Sequence, residues 1–171
     1  AWTFSVPVNS PGGPLKGFEI AYQQAFTSLP WLFKNTGVLL NYTSVKSSID
    51  YRGPTGAIVA TEQLTGLSRH SYNATAYYED DKISARVSAA KRSKYLTRVP
   101  GAEAGTDVDG TNGTFNVDAS FQYTWNDHLK FTVEGINLTD EFQDQYNDSA
   151  DRVSFYHHTG REFLVGFRYT Y

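Results

Sequence analysis

Residues Arg161–Tyr171 read REFLVGFRYTY, and their alternation decides the fold. Phe163, Val165, Phe167, Tyr169 and Tyr171 fall on one side, while Glu162, Leu164, Gly166, Arg168 and Thr170, mostly polar or small, fall on the other. Successive side chains of a strand point to opposite faces, so a period of two predicts a strand with one apolar face. The length matches the roughly 9–11 residues a tilted strand needs to cross a bilayer. An aromatic at the last position suits a membrane interface, where a Tyr ring is shielded and its hydroxyl stays wet.

The same pattern recurs upstream. Strands are expected over Trp2–Val8, Leu15–Phe26, Gly37–Ser48, Leu67–Glu79, Lys82–Tyr95, Thr114–Thr124 and His128–Leu138, which with the tail makes eight. Thr114–Thr124 is the cleanest, with Phe115, Val117, Ala119, Phe121 and Tyr123 set against Asn116, Asp118, Ser120 and Gln122. The polar faces carry Glu19, Glu79, Arg86, Asp118, Lys130, Glu134, Glu162 and Arg168. A soluble sandwich turns its apolar face inward, whereas a membrane barrel shows that face to lipid and its charges to a lumen.

Alternation alone does not separate the two, but the connections do. Glu79–Lys82 and Trp125–His128 are tight Asp/Asn turns. Ile49–Gly66, Leu96–Gly113 and Thr139–Gly160 are long and polar. Short turns alternating with long loops is the pattern of outer-membrane barrels. Thr27–Asn35 is a longer connection on the short-turn side, and its Pro30 and Trp31 suggest an interfacial anchor, with a small buried cap equally allowed.

Composition narrows the class further. Among 171 residues there are 12 Tyr, 11 Phe, 3 Trp and 14 Gly, with only 40% hydrophobic residues and a net charge of −3. No stretch approaches the 18 apolar residues of a membrane helix, and the absence of a basic run makes nucleic acid a poor partner. Cysteine is absent, so there is neither a disulfide nor a thiolate metal site. The chain opens with Ala1-Trp2 inside an expected strand and has no Met, so it reads as the C-terminal piece of something longer. A closed eight-stranded barrel, serving as an adhesin or anchor, is the alternative; small residues at expected interior positions, such as Ala21, Ser84, Ser88, Ala90, Ser120 and Gly166, argue for an arc of a wider one.

Four stretches carry a family resemblance: LKGFEIAYQQAF at Leu15–Phe26, GLSRHSYNATAYYEDDKISARVSAAKRSKYL at Gly66–Leu96, FNVDASFQYTWNDHLKFTVEGINLTDEF at Phe115–Phe142, and GREFLVGFRYTY at Gly160–Tyr171. Together they resemble the C-terminal third of TonB-dependent outer-membrane receptors. The resemblance implies an all-β fold, a transmembrane antiparallel barrel segment supplying the last eight strands of a 22-stranded barrel around a plug. It places the three long loops outside the cell. It also implies uptake of a large scarce solute (siderophore, cobalamin or oligosaccharide) energised by TonB through the plug. The implied partners are the plug and N-terminal strands of the same receptor, the TonB complex, the barrel-assembly machinery and outer-membrane lipid. In that family a C-terminal aromatic marks the last strand for assembly, a role that falls here to Phe167, Tyr169 and Tyr171.

Nothing in the sequence supports catalysis, and no cofactor or metal is expected. His70, His128, His157 and His158 have no nucleophile arranged around them, and His128 reads as a structural turn residue. Thr106–Gly113, TDVDGTNG, lacks the later Glu of an EF-hand and reads as a flexible loop. Glu141, Asp144, Asp148 and Asp151 read as a solvated acidic loop. The ligand-contact candidates are Tyr51, Arg52, Tyr95, Arg98, Tyr146, Phe155 and Tyr156, loop residues that combine flat apolar surface with hydrogen-bond donors. Arg86, Asp118, Lys130, Glu134 and Arg168 are expected to form a lumen charge network with the plug or one another, because a charge left unpaired inside a wall is costly.

Overall fold

The computed structural model describes residues 11–171; the expected strand Trp2–Val8 lies outside them. Seven of the expected strands form one antiparallel sheet. They are β1 (Leu15–Ala25), β2 (Thr36–Ser47), β5 (His70–Glu79), β6 (Ile83–Arg92), β9 (Thr114–Thr124), β10 (Leu129–Ile136) and β13 (Glu162–Tyr169). Each pairs with its neighbour in the meander order β1-β2-β5-β6-β9-β10-β13, and the described sheet is open, since β1 and β13 do not pair. Most boundaries fall within two residues of expectation, and two fall short by three. The fourth expected strand begins at His70 rather than Leu67, and the fifth ends at Arg92 rather than Tyr95, where Ser93 and Lys94 separate it from a further strand.

The register sorts the side chains by chemistry. Val38, Ala76, Val87, Ala119, Gly135 and Phe163 stand opposite one another in turn across six strands. The neighbouring row on the other face runs Tyr77, Arg86, Ser120 and Glu134. On the first face the only lysines or arginines in these strands are Lys16, Lys46 and Lys91, all at the loop ends, where a long stem can snorkel its ammonium toward water.

Aromatic rings mark both borders of this face. Phe18, Tyr42 and Tyr72 pack at the loop side with centroids 5.7 and 4.6 Å apart, and Tyr123 meets Trp125 edge-on at 6.2 Å on the turn side. An apolar band between two girdles is the exterior of a membrane barrel.

Burial confirms which solvent this face was built for. Among the described residues, the buried hydrophobics are Leu96, Val108 and Tyr146, and none of them belongs to the seven-stranded sheet. Its large apolar side chains are instead exposed; Val165 reaches 83%. A soluble protein does not leave so large a contiguous apolar surface in water. No helix among the described residues is long and apolar enough to span a membrane, so crossing falls to strands.

The short connections are pinned by side chains. Asn126 Oδ1 accepts from the His128 and Leu129 amides, both at 2.9 Å, and His128 Nδ1 lies 2.8 Å from Thr170 O, tying this turn to the tail strand. Asp80 Oδ1 accepts from the Lys82 and Ile83 amides at 2.8 and 2.7 Å. The Tyr78 hydroxyl, then those two amides, hold the Asp80 carboxyl below the usual carboxylate range. A depressed folded pKa stabilises the turn above the unfolded value of about 3.9 and loses that effect as pH falls through the folded value. Amide exchange at Lys82 and Ile83, corrected for intrinsic rates, should therefore stay protected at neutral pH and accelerate in strong acid, and Asp80→Ala should remove the difference. The longer connection contains a 3-10 helix, Trp31–Asn35, with Trp31 88% exposed, as an interfacial anchor requires.

Candidate functional site

The long connections are not plain loops. The first carries a hairpin of β3 (Ile49–Arg52) and β4 (Ile58–Glu62). The other two share a second sheet. β7 (Tyr95–Arg98) and β8 (Asp109–Thr111) come from the loop after β6, and β11 (Gln143–Asn147) and β12 (Arg152–His157) from the loop after β10. Their order is β12-β11-β8-β7, so the bond between the two loops is the β8–β11 ladder.

A small core explains why this sheet forms. Leu96, Val108 and Tyr146 bury against one another with Val99 alongside. Tyr146, 3% exposed, stands directly opposite Gly110, and a Cβ at Gly110 would come within 2.3 Å of its ring. Glycine is thus required at that position for the ring to lie flat across the neighbouring strand. Lys94 Nζ sits 5.3 Å from the same ring centroid. Burial pushes the Tyr146 hydroxyl above its ordinary pKa, in keeping with a packing residue.

The acidic residues keep contact with solvent, as expected, and also serve this architecture. Hydrogen bonds from Ser149, and also from the Val108 amide, hold the Asp107 carboxyl below its ordinary range. Asp151 pairs with Lys94 at 3.1 Å, Asp148 with Arg152, and Asp144 accepts from the Asn112 amide. Glu141 accepts from the Phe115 amide at 3.0 Å, joining the second loop to the top of β9. Thr106–Gly113, expected to be flexible, instead supplies β8, with Thr106, Val108 and Thr111 buried. Among the described residues, no group of three or more His, Asp or Glu could hold a metal ion.

Where this sheet meets the barrel strands there is a cavity of about 380 Å³, within the range of about 300–1,000 Å³ typical of ligand sites. Its walls include Arg92 and Asn116 from the polar face of the large sheet, Tyr95 from β7, and Phe142, Gln143 and His157 from the second loop. Arg92 Nε donates to Ser68 Oγ at 3.0 Å, and its guanidinium lies 4.2 Å from the Tyr95 ring centroid. The cavity therefore sits at the loop end of the polar face, with both loops contributing.

The expected contact residues distribute unevenly around it. Tyr95 lines the cavity; Arg98, on the same strand, does not. Phe155 and Tyr156 lie exposed on β12, where Tyr156 packs against Phe142 at 4.8 Å and Phe155 stacks near His157 at 6.4 Å. Tyr146 is enclosed in the core of the small sheet. Tyr51 and Arg52 belong to the separate hairpin, where the Tyr51 hydroxyl donates to Gln63 O and Arg52 Nη1 to Gly56 O. Asn116, Phe142, Gln143 and His157 were not among the expected contacts; the alternation places Asn116 on the polar face, but only the loop pairing gathers the others beside it.

The charge candidates on the polar face do not pair with each other. Among the described residues no ion pair joins Arg86, Asp118, Lys130, Glu134 or Arg168. Asp118 accepts from the Asn137 amide at 2.8 Å. Lys130 and Arg168 stand directly opposite one another, an unfavourable like-charge arrangement.

A polar face bearing unspent charge, an apolar face between girdles and alternating loop lengths together specify an outer-membrane barrel, and a comparison with family models supplies its name. The model for the TonB dependent receptor-like β-barrel matches residues 3–138, more than half of the chain. The chain belongs to this family. No curated protein and no solved structure matches it. As a TonB-dependent receptor barrel, it is part of an outer-membrane, TonB-linked receptor or transporter, in a family of receptors and transporters rather than enzymes. The polar row of Arg86, Ser120 and Glu134 is then the inner wall, and the band of Val87, Ala119 and Phe163 meets lipid.

Proposed function

We propose that this barrel segment supplies the last strands of a 22-stranded receptor for TonB-driven uptake of a large, scarce solute, which it meets first at the loop-end cavity. The observation that carries the reading is the position of that cavity. Barrel residues Arg92 and Asn116 line it from the inner wall, so a solute held there stands at the entrance to the lumen.

The facing Lys130 and Arg168 support a plug. A carboxylate brought into the lumen would relieve their mutual repulsion. TonB would act on that plug. Phe167 and Tyr169, exposed on the outer face of the final strand, and Tyr171, exposed just beyond its end, suit recognition by the barrel-assembly machinery as well as interface anchoring.

Paired deletions test this. Removing the receptor gene and removing tonB should give the same growth defect on one scarce nutrient, and an excess of that nutrient should rescue both strains. A receptor deletion with a nutrient phenotype that tonB deletion does not share rejects the reading.

A further inference from the structure

We infer that the loop-end cavity holds a neutral polyhydroxylated ligand, a sugar unit of an oligosaccharide. This rests on the reading of the cavity as the solute's entry point and names the class of solute.

Three features of its lining carry the inference. The first is unspent hydrogen-bonding capacity. The side chains of Asn116, Gln143 and Thr159 line the cavity and make no hydrogen bond among the described residues, although Asn and Gln each offer two donors and two acceptor lone pairs. Groups that both donate and accept at close spacing match vicinal hydroxyls, each of which also does both.

The second is charge balance. The cavity's cation, Arg92, faces one carboxylate, Glu141, and both are already engaged, with Ser68 and with the Phe115 amide. Among the described residues no lysine lines the cavity. An anionic metal chelate requires an excess of positive charge to repay its desolvation, and that excess is missing. The third is the pair of aromatic walls, Tyr95 and Phe142, which offer flat apolar surface to the C–H faces of a sugar ring while the amides take its hydroxyls.

The test uses the full receptor in detergent, probed with an array of neutral oligosaccharides and, separately, with a ferric catecholate and a ferric trihydroxamate. At least one neutral oligosaccharide should bind, and Asn116→Ala and Gln143→Ala should each weaken it about tenfold or more. Neither side chain has a hydrogen-bond partner among the described residues, so the variants should fold, which heat-modifiable gel mobility verifies. Val153→Ser, on the exposed edge strand away from the cavity, should bind as the parent does. Binding of a ferric chelate without any oligosaccharide overturns the inference and leaves the uptake reading standing. Oligosaccharide binding indifferent to both alanine variants overturns it too, as does binding of neither class; the paired deletions then decide the uptake reading separately.

Discussion

Receptors carrying Tyr146→Ala should insert into the outer membrane with an intact barrel and lose the ordered sheet above it. Tyr146 is one of three buried hydrophobic side chains among the described residues, and Leu96 and Val108 are the other two. Deleting a buried aromatic costs about 3–5 kcal/mol. A core of three residues has no neighbours able to close the space, and the β8–β11 ladder that joins the loops spans only Asp109–Thr111 against Gln145–Asn147. The barrel strands share none of this core, so the damage stays local. Protease added to intact cells should cut the variant within residues 93–113 or 137–161 and leave the parent whole. Cutting of both at equal rates would mean that the small sheet does not depend on its core.

The second large effect belongs to the outer face. Val87→Arg puts a guanidinium in the middle of the apolar band, in the row of Ala76 and Ala119. Such a charge near the bilayer midplane costs about 2–4 kcal/mol. Gln122→Arg, on β9's inner-wall face, should be tolerated, because that face already accommodates Arg86 and Lys130. Denaturant unfolding of the receptor refolded into vesicles should show a clear loss for the first and little for the second. Equal effects would remove the assignment of faces.

The barrel was legible in the sequence because every strand repeats the same two-residue rule, and each can be read without knowing its neighbours. Thr114–Thr124 falls where its alternation places it, and the turns at Asp80 and Asn126 announce themselves by side chains that hold their own backbone. The small sheet was illegible for the opposite reason. β8 is the tripeptide Asp-Gly-Thr, too short for a period and rich in turn formers, and it becomes a strand only because β11 arrives beside it from about 35 residues away. The cavity shares this fate. Asn116 can be assigned to the inner wall by parity, but Phe142, Gln143 and His157 acquire a common neighbourhood only through that long-range pairing. Tyr146, chosen for its aromatic ring in a loop, proves to use the ring for packing; no local pattern distinguishes the two uses.

The β8–β11 ladder also sets how this region can change over generations or at the bench. Two loops that each donate a pair of strands to one sheet form a single transplantable module. Exchanging residues 93–113 alone with those of another receptor removes Gly110 from beneath Tyr146 and bares the edge of β11. Exchanging 137–161 alone strips β8 of its β11 partner and leaves it paired with β7 alone. Altered specificity is therefore reached by moving both segments together, whereas the β3–β4 hairpin, which among the described residues pairs only with itself, can be swapped by itself.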